Sequence, residues 1–330
     1  MGQSLSKYMK GIILSFLFFF FISCKSQKKV LELNGIELVK SSVQTNKCFV
    51  YSNYRLVKEL NLKQGDKTYS GLKWENQGNK FLAIEEIENK NGKTISSNLV
   101  IMDTSGNVVE TVIQSKYGEY IGDAFLSRND KRIITTVITH NSGIENLFCD
   151  NYSFAIIDFN NRTVIKKMNS FYKGCSSIYL DESPWSPDEK KFVYVVSQPV
   201  EVSIQGDKVT PSNADYKKPG IYIYNIENNN DSLLIIGGHN AVWNQTNNSI
   251  AYIMRNNIWT YNADSGIHHI VYNTAPDEYI QNIHWTPDGN YLYIICPTKR
   301  KYNEKLIRVS DASIIPFKKL NIGRADYSWK

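Results

Sequence analysis

Tyrosines and carboxylates recur together at three points of the sequence: "YGEY" at 117–120, "YLDE" at 179–182 and "DEY" at 277–279. Paired carboxylates can divide the work of acid and base in cleaving a glycosidic bond. Tyrosines offer an apolar face with a hydroxyl at its tip. Tyr117, Glu119, Tyr120, Asp181, Glu182 and Tyr279, with His239 as a seventh, are therefore the ligand-site candidates. Other chemistries lack their residues. There is no Gly-x-Ser-x-Gly elbow, His-Glu-x-x-His, Cys-x-x-Cys or glycine-rich phosphate loop. "MDTSGN" and "NADSG" lack calcium-loop spacing and read as hairpin turns. His268 and His269 are adjacent in an expected strand, so their side chains point to opposite faces. No catalytic residue, metal site or cofactor is assigned, and an enzyme is the less favoured expectation. Lysine and arginine form no block interleaved with aromatics, which excludes a nucleic-acid partner.

The N-terminus carries a different chemistry. Lys7 and Lys10 precede thirteen residues, Gly11 to Ser23, that are almost wholly apolar. A bilayer-spanning helix needs about 20 such residues, whereas this run has the length of a signal-peptide core. It ends Phe21-Ile22-Ser23-Cys24, which resembles the lipobox of a bacterial lipoprotein. The resemblance implies a leader over 1–23, lipid on Cys24, a basic tether over 24–32 and a single domain over 33–330. It also implies an exported protein held on a membrane of the cell envelope. Met1 to Ser6 fits the N-myristoylation pattern as well, but that pattern leaves the apolar run unexplained.

The elements that must position the candidates repeat. "LKWENQGNKFLAIEE", "DAFLSRNDKRIITTV", "SPWSPDEKKFVYVVS", "AVWNQTNNSIAYIMR" and "IHWTPDGNYLYIICP" each place an aromatic residue, a polar turn and a short apolar strand in that order. The expected anchors are Trp74, Phe125, Trp185, Trp243 and Trp285. An apolar residue follows seven places on in four copies, and the Phe125 copy carries one extra turn residue before Ile133. Strands ending at Asp103, Asp158, Asn225 and Asn262 come next, then a fourth set. Tyrosine (21 residues) and the β-branched residues suit strands, while Asn suits turns. Four short strands per repeat predict an all-β propeller. Trp-Ser-Pro-Asp before a strand resembles the TolB-like and WD-repeat-like propellers.

Trp329 anchors a sixth copy whose remaining strands must come from the other end of the chain. "KCFVYS" and "YRLVKEL", within residues 47–68, are the expected contributors, with the Trp329 strand pairing near Cys48. The expectation is thus a six-bladed propeller of four-stranded antiparallel blades, closed by pairing of N- and C-terminal strands. Numbering strands A to D outwards, the B–C and D–A loops share one rim and carry the tyrosine–acid candidates. Cys48 and Cys296 read as buried small hydrophobes. Cys149 and Cys175 fall on one rim of neighbouring sheets, as a bridge or as two free thiols. The TolB resemblance implies recognition of an envelope protein or glycan partner. The alternative is a glycan-active hydrolase or lyase using the rim carboxylates and tyrosines.

Overall fold

The computed structural model of the chain describes residues 30–32, 37–42, 46–76, 78–91, 94–140, 150–173, 177–197, 202–204, 207–209, 217–297, 302–320 and 326–329. Six antiparallel sheets form the six blades of a propeller. The first blade runs outwards through Lys67–Trp74, Lys80–Glu88, Thr94–Asp103 and Val108–Gln114. The short strand Lys63–Gln64 sits against its inner strand. Inner strands of the next four blades start at Glu119, Ile178, His239 and Asn282. The strands Val202–Ile204 and Asp207–Val209 pair as a small separate sheet.

The sixth blade closes the ring. Its order is Asp326–Trp329, Glu37–Ser42, Lys47–Ser52 and Arg55–Asn61. The last strand therefore pairs with Glu37–Ser42, through Leu38 opposite Trp329, and not with the strand around Cys48 as the sequence suggested. "ELVKSS" lacks the aromatic residues that mark four of the other five second strands, which is why it went unread. Residues 63–68 belong to the first blade, not the sixth. The Trp329 side chain, residues 1–29 with Cys24, and both Cys149 and Cys175 lie outside the described residues. Asn151 pairs with Lys173, and Cys149 and Cys175 each stand two positions beyond that pair in sequence.

Register identifies the anchors. Trp74 pairs with Phe81, Trp243 with Ile250 and Trp285 with Leu292, and Trp185 bridges to Phe192. The partners of each pair stand seven residues apart. In the second blade the equivalent pair is Leu126 with Ile133, while Phe125 pairs with Ile134. Leu126, not Phe125, holds the anchor position, and the turn has no extra residue. The turn bonds agree: Asp130 N–H donates to Ser127 O at 3.0 Å, Glu189 to Ser186 at 2.9 Å and Gly289 to Thr286 at 2.8 Å. All three closing residues have positive φ, the left-handed conformation such turns need.

Anchors pack between their own blade and the preceding one. Trp185 lies among Phe154, Ile156 and Met168 of the second blade, whereas Leu126 packs against the cluster of Leu82, Ile84 and Leu99 from the first. Burying an indole requires a partner for its N–H. Trp185 Nε1 donates to Phe125 O and Trp285 Nε1 to Val242 O, both at 3.1 Å. Cys48 and Cys296 are fully buried free thiols, and burial pushes both up to about 12. Such thiols are inert.

Candidate functional site in the axial channel

The inner strands do not run straight into the channel. Between Lys73 and Ser70, between Ala124 and Ile121, and between Val242 and His239, two residues oppose one on the neighbouring strand. A bulge of this kind re-aims side chains. The same place, three residues before the anchor, lies within all three bulges. Gly71 (φ +59°) and Asn240 (φ +51°) occupy it in left-handed conformation. In the second blade the bulge also needs Gly122, where a Cβ would come within 2.6 Å of Thr136 Oγ1. That hydroxyl instead accepts the N–H of Asp123 at 2.7 Å.

Two tiers of side chains result. Three residues before the anchor stand Gly71, Asp123, Glu182, Asn240 and Asn282 in the first five blades, and all border an inner cavity of about 210 Å³. One residue before the anchor stand Lys73, Phe125, Val242, His284 and Ser328, and these border an outer cavity of about 450 Å³. The outer cavity opens at the A–B turns beside Asn76, Arg128, Gln245 and Pro287. Its walls include Trp74, Trp185 and Trp285.

Lys73 reaches across from the first blade to form an ion pair with Glu182 of the third. Both residues border both cavities. The Lys73 ammonium also lies 5.0 Å from the centroid of the Phe125 ring, a cation–π contact. His284 is buried, and burial together with the Lys73 charge holds its pKa well below the usual histidine value. It is neutral at physiological pH.

Asp123 and Asp181 act across blade boundaries. Asp123 Oδ2 accepts the N–H of Leu180 at 3.3 Å, and Asp181 Oδ2 accepts that of Ala241 at 2.8 Å. Asn240 repeats the device, donating to Gln281 O at 3.0 Å. Gln245 Nε2 donates to Ser183 Oγ at 2.8 Å and to Trp185 O at 2.7 Å. Its Oε1 is buried and accepts no hydrogen bond among the described residues. No group of His, Cys, Asp and Glu among the described residues is arranged to hold a metal ion.

Asp181 is pushed up to about 8, first by burial and then by the charges of Asp123 and Glu182, against the bond from Ala241. An unfolded Asp titrates near 3.9. Between these values the native state binds a proton that the unfolded state does not. The contribution is therefore fully present below about pH 4 and is lost as pH rises through about 8. Asp181→Asn is always neutral and keeps an acceptor for Ala241. Its stability relative to the parent should rise from pH 4 to 8 and then level off, in paired thermal melts. A difference that does not vary with pH would reject a buried, protonatable Asp181.

Of the sequence candidates, the structure brings together Asp181 and Glu182, at the channel. Tyr117 and Tyr279 are exposed, at 85% and 54%. Glu119 forms an ion pair with Lys167 at 3.6 Å, and Tyr120 donates to Thr94 O at 3.2 Å. His239 Nδ1 lies 2.8 Å from Asn240 Oδ1. Lys73, Asp123, Gln245 and His284 were missed. The position next to an anchor was the available signal for Lys73 and His284.

No protein-family model matches the sequence, and no curated protein does. The fold is shared with solved propellers. A putative TolB from Agrobacterium tumefaciens superposes with a TM-score of 0.50 at 11% identity, over 89% of this chain and 98% of that one. A chain of a nidogen/laminin complex gives 0.52 at 10% identity, over 89% and 98%. An oligogalacturonate lyase in complex with manganese gives 0.50 at 13% identity, over 84% and 70%. The likeness is one of architecture, common to binding proteins and enzymes, and function has to be argued from the site.

Proposed function

We propose that this protein is a lipid-anchored binding module of the bacterial cell envelope whose channel receives part of an envelope protein or glycan. The observation that carries the reading is the division of labour in the channel. Asp123 and Asp181 are committed to backbone N–H groups of the next blade, while the outer cavity offers indole walls, Arg128 and the buried Gln245 Oε1. Its volume, about 450 Å³, lies within the roughly 300–1,000 Å³ of ligand pockets. Indole walls set among polar side chains suit recognition of a partner that presents both apolar and polar surface.

Two measurements test it. Metabolic labelling with a palmitate analogue should mark the chain, and equal labelling of Cys24→Ala would remove the lipid anchor. A benzophenone side chain placed at Pro287, at the cavity mouth, should capture the ligand in intact envelopes, while one at Tyr117 should not. Adducts at Tyr117 alone would move the site to the opposite rim.

One observation favours a second reading as a glycan-active enzyme. Asp181, at about 8, keeps its proton near neutrality beside Glu182, as a general acid must. Turnover of acidic or neutral oligosaccharides that vanishes in Asp181→Asn would establish it.

A further inference from the structure

Aliphatic side chains are exposed on the outer strands of all six blades, from Leu56 and Val57 round to Ile314, so exposure alone marks no face. One sector differs, because the chain from Cys24 arrives there. Leu31 forms a parallel bridge with Phe317, its N–H donating to Pro316 O and its carbonyl accepting from Lys318 N–H, both at 3.0 Å. Leu31 also packs with Tyr51, Phe317 and Leu320 against Tyr293, which fastens the segment between the fifth and sixth blades.

The chain before Val30 therefore leaves from this edge. Cys24 precedes Val30 by six residues, which span at most about 20 Å. A compact domain of this size has a radius of gyration of about 19 Å and a breadth of roughly 40 Å or more. A lipid on Cys24 can hold this edge at a bilayer but cannot bring the far edge to it.

The edge has the composition to lie there. Val30, Leu56, Val57 and Ile314 are more than half exposed, at 52%, 53%, 65% and 55%. Arg55, Lys318 and Lys319 are exposed among them. Lys318 joins the two blades, lying 4.5 Å over the Tyr54 ring and 3.5 Å from Glu32. Lys25, Lys28 and Lys29 are among the five residues between Cys24 and Val30 in sequence. Lysine and arginine near an anionic membrane surface each attract it, and exposed aliphatics enter the headgroup boundary.

We propose that the outer edge of the fifth and sixth blades is the membrane-contact face of the protein. This rests on the lipid-anchor reading. The propeller then stands on its edge, with the channel axis along the bilayer plane and the outer cavity open to the side.

The test uses the full chain, processed by the cell and reconstituted in vesicles of phosphatidylethanolamine and phosphatidylglycerol. A benzophenone side chain is placed at Val57 or Ile314, or at the control positions Ile165 and Ile236, which are equally exposed on other blades. Several-fold more lipid adduct at Val57 and Ile314 than at the controls is expected. Equal adducts at all four positions, or more at the controls, would overturn the orientation. The mass of the N-terminal peptide separates the two ideas. An unlipidated peptide removes the anchor and the orientation together, whereas a lipidated one with the reversed pattern removes the orientation alone.

Discussion

Deleting Asp326 to Lys330 is expected to leave a protein that aggregates or unfolds, while trimming residues 25–29 changes little. The five residues include the whole inner strand of the sixth blade, paired with Glu37–Ser42. Ser328 also bonds outside its own sheet, its Oγ accepting the N–H of Trp74 at 3.3 Å. Removing the strand exposes the edge of Glu37–Ser42 and opens the seam towards the first blade. Unpaired edges template association between chains. Truncating even a single buried aromatic typically costs about 3–5 kcal/mol, a large part of a net stability of roughly 5–15 kcal/mol. Thermal melting and light scattering of the two truncations decide the matter. A C-terminal truncation that melts within a degree or two of the parent would mean that the ring does not depend on this strand.

Glu182→Ala is expected to be the most damaging single substitution in the channel. It leaves the Lys73 side chain, 13% exposed, with the Phe125 ring but without its carboxylate. Removing one partner of a buried ion pair costs about 3–5 kcal/mol, whereas replacing both by apolar groups is often neutral. The opening of the channel places this pair near the lower end, about 3 kcal/mol, or roughly 6 °C in melting temperature for a domain of this size. Lys73→Met with Glu182→Leu should recover most of the loss. A double variant as unstable as Glu182→Ala would show that Lys73 is not the reason for the loss, and that the carboxylate supports the third blade by itself.

Much of the architecture was legible because propeller blades repeat in sequence as well as in space. Trp185 and Trp285, each before a Pro-Asp turn, fix register strongly enough to number the blades. Leu126 escaped because the aromatic residue beside it drew the alignment one place off. Its turn, Ser127 to Asp130, matches Ser186 to Glu189 bond for bond. That correspondence became visible only once the pairing with Ile133 was known. The channel was far less legible. Its lining comes from single residues spread over six strands, and bulges decide which of them face inwards. A bulge depends on the conformation of two residues, which leaves at most a glycine or asparagine as its trace. Asp123 has no distinguishing neighbour in sequence, and it meets Lys73 and His284, each beside an anchor tryptophan, only because the ring curves.

The seam between the two ends of the chain also sets the order of assembly during synthesis. Sheets one to five can each complete as their strands emerge. Glu37–Ser42, however, emerges before any of them and waits for Asp326–Trp329, which comes last. Until then the particle is an unclosed arc with a sticky edge, however much of the chain has been made. The step that locks the ring cannot occur until the last strand has been made, so closure is timed to the end of synthesis.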